Sequence, residues 1–91
     1  MHAVIYTKDN CPYCVKAKNL MSSKNISYEE KIIALNGPDN RHLNENQSWT
    51  TREALLEAAP NARTVPQIWL DGEHVGGHDQ LVVYLQGLNN K

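Results

Sequence analysis

Residues 3–7, AVIYT, are a short apolar run of β-branched and aromatic residues. Such a run between polar neighbours predicts a strand buried on both faces. KDN breaks it, and Asn10 or Cys11 is placed to cap a helix that begins at Pro12, since proline suits the first helical position. Val15, Ala17, Leu20 and Met21 then recur at helical spacing, which predicts an inward face on a helix running to about Lys24. Asn25 is its left-handed stop. ISYEEKII (26–33) reads as a second strand, parallel to the first through a right-handed crossover. The polar, Asn-rich stretch 36–49 with its Gly-Pro signal predicts a long loop. Thr50 and Glu53 form a T-x-x-E capping box ahead of a helix that Pro60 ends. PQIWL and EHVGG flank Asp-Gly, a strong hairpin signal. DQLVVYLQGL carries Leu81, Val82, Tyr84, Leu85 and Leu88 at helical spacing. The expected order is β-α-β-α-β-β-α, an α/β fold with a four-stranded mixed sheet and helices on both faces.

Composition narrows the picture without naming a partner. The 91 residues suit one domain, 1–91, with one modest core. At 41% hydrophobic and 21% charged residues the chain is globular rather than disordered. A net charge of −1 supplies no basic field for nucleic acid or an anionic membrane. No apolar run approaches the ~20 residues of a spanning helix. The N-terminus lacks the basic and apolar regions of a secretory signal, which predicts a cytoplasmic setting. There thiols stay reduced, and a close C-x-x-C is catalytic or metal-binding more often than structural.

Both cysteines lie in TKDNCPYCVKAK. The predicted helix puts Cys11 at its N-terminal end and Cys14 one turn inside. Unpaired N–H groups and the positive end of the helix dipole favour a thiolate at Cys11, with Lys8 adding positive charge. Its pKa is expected to fall from ~8.5 towards the lower end of the C-x-x-C range. Cys14 is expected to be less exposed and nearer its ordinary value. Dithiol exchange needs that asymmetry: one thiolate attacks a disulfide and its neighbour resolves the mixed disulfide. Pro12 stiffens the turn, and Tyr13 is placed to lie over an entering substrate. A zinc site would have to recruit His2, His42, His74 or His78. HVGGH supplies H-x3-H, but the gap from Cys14 to His74 far exceeds finger spacing, and a Gly-Gly turn is not a helix. A permanent staple over so short a loop would constrain the unfolded chain little. The redox couple is the better reading.

Two further segments bear on it. In RTVPQIW, Pro66 is either an edge-strand signal or a cis residue that turns the Val65 backbone outward, where an extended peptide can pair with it. In GGHDQL, glycines allow close backbone approach and the helix start can receive a carboxylate. Asp79 is also placed to cap that helix, and His78 reads as an exposed turn residue. Trp49, Trp69 and Tyr84 read as packing residues, and His42 as part of a loop.

Together, VIYTKDNCPYCVKAKNLMSSKNISY and TVPQIWLDGEHVGGHDQL resemble a dithiol glutaredoxin over roughly two-thirds of the chain, through C-P-Y-C, T-V-P and G-G-x-D. The resemblance implies a thioredoxin-like fold, a cis Pro66, and glutathione-dependent reduction of protein disulfides and glutathione mixed disulfides. It makes Cys11 the nucleophile and Cys14 the resolving thiol, with no metal. It implies glutathione as co-substrate, its cysteinyl backbone paired with Val65 in the Thr64–Val65–Pro66 segment. The γ-glutamyl carboxylate would lie near Gly77, His78 and Asp79, and Lys8, Tyr13 and Arg63 would flank the remainder. The implied partners are disulfide-bearing client proteins, ribonucleotide reductase among them, met by a monomer. Two departures stand out. Family members often carry two acids after Gly-Gly-x, whereas Asp79 is followed by Gln80. The segment 34–49 is longer than the usual connection. The competing functions are a redoxin recharged by thioredoxin reductase and a [2Fe–2S] carrier with Cys11 as ligand. Pro12 and Cys14 count against the carrier.

Overall fold

The computed structural model describes residues 1–89. In chain order the elements are β1 (His2–Thr7), α1 (Pro12–Ser23), β2 (Ser27–Ile33), β3 (Gln47–Thr50), α2 (Arg52–Ala58), β4 (Gln67–Leu70), β5 (Glu73–Gly76) and α3 (His78–Asn89). They build one sheet in the order β3-β2-β1-β4-β5. β1 runs parallel to β2 and β2 to β3, while β4 is antiparallel to both β1 and β5. This is the thioredoxin-like α/β arrangement expected, with five strands in place of four.

The additional strand lies at the end of the segment read as a loop. QSWT has no alternating apolar pattern to announce it. The exposed edge of β2 supplies its hydrogen bonds, with Glu30 opposite Gln47 and Ile33 opposite Thr50. Thr50 is therefore a strand residue, and the cap of α2 is Thr51, whose hydroxyl accepts the Ala54 N–H at 3.1 Å. The expected Thr50–Glu53 box does not form.

Other local expectations hold. Pro12 is the first residue of α1, and Asn25 takes the left-handed conformation after it, with φ 58°. Asp71 and Gly72, with φ of 49° and 86°, make the tight β4–β5 turn. Alternation along β1 sends Ala3 and Ile5 towards α1 and α3, where they meet Ala17, Met21, Ile68, Leu70, Leu81 and Leu85. Burial of each large side chain there contributes about 1.5–3 kcal/mol. Tyr6, Ile33 and Leu55 form a smaller cluster beneath α2 on the opposite face. The inward face of α1 is Cys14, Ala17 and Met21, so Val15, a residue further round the helix, is 51% exposed rather than packed inward. Among the described residues no helix is long and apolar enough to cross a membrane.

Candidate active site

The loop after β1 turns at Asn10, whose φ is 57°, and delivers Cys11 as the N-cap of α1. The Cys11 sulfur accepts the Cys14 backbone N–H at 3.2 Å. A donor N–H at a helix N-terminus favours negative charge on that sulfur. The two residues are joined as a disulfide, with Cα atoms 5.3 Å apart. Cys14 is 2% exposed and Cys11 9%, so Cys14 is the more sheltered, as expected.

The T-V-P segment comes back beside this pair. The Val65–Pro66 bond is cis, and the Val65 carbonyl oxygen lies 3.7 Å from the Cys11 sulfur. A groove of about 340 Å³ opens from there, lined by Tyr13, Thr64, Val65, Pro66, Gly77, His78, Asp79 and Gln80. That volume falls in the ~300–1,000 Å³ range of small-molecule sites. The structure thus brings together seven of the residues singled out in the sequence and adds Gln80. The rings of Tyr13 and His78 approach to 5.9 Å across the groove, and His78 Nδ1 pairs with Asp79 Oδ1 at 3.1 Å. His78 is half-buried as the first residue of α3, not an exposed turn residue.

Asp79 does not cap α3. It sits in the first turn, and Gln80 reaches back instead, its Oε1 accepting the Gly77 N–H at 3.0 Å. The two glycines permit this approach. Gly76 has φ 117°, and a Cβ there would lie 3.1 Å from the Gln80 side chain; one on Gly77 would lie 3.4 Å from the Pro66 carbonyl.

Lys8 and Arg63 fall outside that groove. They line an adjoining hollow of about 120 Å³ that shares Thr64 and Val65 with it. Arg52 joins them there, giving three cations and no carboxylate in the lining. Nothing in the local sequence marked Arg52, since only the fold carries the start of α2 to this place.

A third hollow, about 610 Å³, lies against the cysteine pair itself and includes Thr7, Lys18, Glu30, Arg41 and Gln47 in its walls. Glu30 is buried, yet both its oxygens are occupied. Oε2 accepts from Thr7 Oγ1 at 2.8 Å and Lys18 Nζ at 3.0 Å, and Oε1 from Gln47 Nε2 at 2.9 Å. Burial alone would raise its pKa; the Gln47, Thr7 and Lys18 donors together outweigh burial and hold it below its ordinary value. Arg41 forks onto Asp9 and Asp39 and lies 5.0 Å over the Trp49 ring. Both carboxylates are held low by that guanidinium.

The histidines of the zinc reading are scattered. His2 bonds Ser27, His74 bonds Gln67, and His42 is exposed in the loop after β2. Among the described residues no three His, Cys, Asp or Glu side chains gather as metal ligands.

A glutaredoxin family model matches residues 3–75. The chain belongs to the glutaredoxin family. Glutaredoxin 1 of Rickettsia typhi is 40% identical over 78 residues, covering 86% of this chain and 64% of that protein's length. Glutaredoxin 3 of Escherichia coli K12 is 40% identical over 77 residues, covering 85% of this chain and 77% of that one. Among solved structures, glutaredoxin 1 of Francisella tularensis, complexed with cacodylate, has a TM-score of 0.70 at 30% identity, covering 99% and 98% of the two chains. A buckwheat glutaredoxin–glutathione complex has a TM-score of 0.65 at 26% identity, covering 93% of this chain and 68% of that one. The C-P-Y-C, T-V-P and G-G-x-D segments of this glutaredoxin thus meet around one disulfide, an arrangement able to carry out dithiol–disulfide exchange.

Proposed function

We propose that this glutaredoxin is a glutathione-dependent thiol–disulfide oxidoreductase, acting on protein disulfides and glutathione mixed disulfides. The observation that carries the reading is Cys11 at the cap of α1, its sulfur within reach of the Cys14 N–H and of the Val65 carbonyl that leads into a small-ligand groove. In the reductive direction the Cys11 thiolate attacks one sulfur of a client disulfide. The other client sulfur leaves and takes a proton. Cys14, deprotonated, then attacks the Cys11 sulfur, releasing the second client thiol and leaving the Cys11–Cys14 disulfide. Two glutathione thiols return two electrons and two protons, ending as glutathione disulfide.

Glutathione fits the adjoining concavities as an extended tripeptide. Its cysteinyl backbone pairs with Val65, next to Cys11. Gly77 has already given its N–H to Gln80, so the γ-glutamyl carboxylate uses those of His78 and Asp79 in the first turn of α3. The Asp79 carboxylate faces the γ-glutamyl ammonium. The glycyl carboxylate goes to Lys8, Arg63 and Arg52, the three cations of the smaller hollow. The complex of the similar buckwheat protein with glutathione supports this choice of ligand. Ribonucleotide reductase is a client suggested by the family resemblance, and the working form is a cytoplasmic monomer.

The test is turnover of glutathionylated β-mercaptoethanol, with electrons from glutathione plus glutathione reductase or from thioredoxin reductase. Fast turnover with glutathione alone is expected. A preference for thioredoxin reductase would reject the glutathione site, and a purified protein carrying an iron–sulfur chromophore would favour the cluster-carrier function.

A further inference from the structure

We propose that the hollow against Cys11 and Cys14 binds the polypeptide strand of a disulfide-bearing client protein, with Arg41 as the positioning residue that holds its outer wall. The inference rests on the thiol–disulfide reading above and adds a place for the client that the tripeptide groove does not supply.

Three observations converge on it. First, both cysteines line this hollow of about 610 Å³, whereas neither lines the Tyr13–His78 groove. A client joined to Cys11 is therefore presented with the larger space. Second, the surface suits a peptide strand better than a small ion. The floor groups Thr7, Lys18, Glu30 and Gln47 bond one another, and Glu30 has no free oxygen to offer. At the rim, Pro12 and Val15 are an exposed apolar ledge at the start of α1. Lys18 is answered by Glu30, and Arg41 by Asp9 and Asp39, leaving Lys8 as the lining cation with no carboxylate partner among the described residues. Lys8 lines both hollows, so it meets the client carboxylate in the first exchange and the glycyl carboxylate when glutathione follows. The complementary occupant is a strand beside a client cysteine that carries an apolar and an acidic side chain.

Third, the wall is tied to the loop that carries the nucleophile. Arg41 donates to Asp9 at 2.8 and 2.7 Å, two residues before Cys11, and to Asp39 at 2.9 and 2.6 Å. Its guanidinium also covers Trp49 of the edge strand. An isolated surface pair contributes little, but a forked guanidinium shared between two carboxylates and a ring fixes geometry. The clamp spans exposed groups outside both apolar clusters, so its loss loosens the wall without removing core.

The experiment compares wild type, Arg41→Ala and Val15→Glu in glutathione-driven turnover of two substrates, glutathionylated β-mercaptoethanol and insulin. Arg41→Ala is expected to raise KM for insulin about tenfold, the effect of ~1.4 kcal/mol of lost binding, with kcat and small-substrate kinetics unchanged. Val15→Glu puts a negative charge on the ledge and is expected to raise the insulin KM in the same way. Insulin KM unchanged in both variants would overturn the proposal. So would equal losses on both substrates, because the clamp would then serve the cysteine loop and not the client. Failure of the glutathione reading itself is seen separately, as wild type inactive on glutathionylated β-mercaptoethanol.

Discussion

The two flanks of the cysteine pair are built by different means. On the Pro66–Gly77 side the shape is backbone: a cis bond before Pro66, a two-residue hairpin turn, and Gly76 in a conformation that side chains disfavour. On the Arg41 side it is side-chain bonding between distant residues. Arg41 reaches Asp9 across 32 positions, Glu30 meets Thr7 across 23, and Gln47 meets Glu30 across 17. Backbone devices demand particular residue types in one short segment. A side-chain wall demands only that two ordinary polar residues end up adjacent.

The largest expected effect separates the flanks at the sulfurs they share. Cys11→Ser removes the proposed nucleophile and is expected to abolish exchange with every substrate. Cys14→Ser keeps the attack but loses the internal resolving thiol. Glutathione can replace that thiol for a small mixed disulfide, so turnover of glutathionylated β-mercaptoethanol survives while insulin reduction is largely lost. Equal loss on both substrates in Cys14→Ser would contradict the assigned roles.

Next in size is the floor of the client-side hollow. Glu30 is buried, and Lys18, Thr7 and Gln47 all spend donors on it. Glu30→Ala leaves those donors unanswered and is expected to cost about 3 kcal/mol in urea unfolding at pH 7. The folded carboxyl is held below its ordinary 4.5. Its contribution is thus fully present above the unfolded value and drains away as pH falls through the folded one. Wild-type stability should drop more steeply below about pH 4.5 than that of Glu30→Gln. Parallel curves would mean that the three donors do not set the Glu30 titration.

Legibility followed the same division. Pro12 at the helix start, the Asn25 stop and Asp71–Gly72 can be read from sequence because each residue type answers a local backbone requirement. The cis bond before Pro66, by contrast, is implied by the glutaredoxin resemblance and not by proline itself. The strand Gln47–Thr50 cannot be read locally, since the edge of β2 rather than its own pattern makes it a strand. Arg41 stood in a polar run indistinguishable from a solvated loop. Arg52 looked like an ordinary residue in the first turn of a helix, and Gln80 looked like a missing acid, not a group reaching back to Gly77. Val15 reads as inward because an apolar residue at helical spacing usually is. The burial of Cys14 set the phase of α1 differently and left Val15 on the rim of the hollow.

The smallest expected effect tests the tripeptide flank alone. Asp79 is largely exposed, with its carboxylate 3.1 Å from His78 Nδ1 at the mouth of the groove. In the proposed pose it faces the γ-glutamyl ammonium, and an exposed charge pair contributes about 0.2–1 kcal/mol. Asp79→Asn keeps the size and the first-turn position while removing the charge. The KM for glutathionylated β-mercaptoethanol should rise by a factor of about 1.5 to 5. The insulin KM, measured at saturating glutathione, should not move, because the client strand lies on the other side of the disulfide. An Asp79→Asn variant that raised both KM values together would merge the two flanks into one site, and the separate place assigned to the client would be lost.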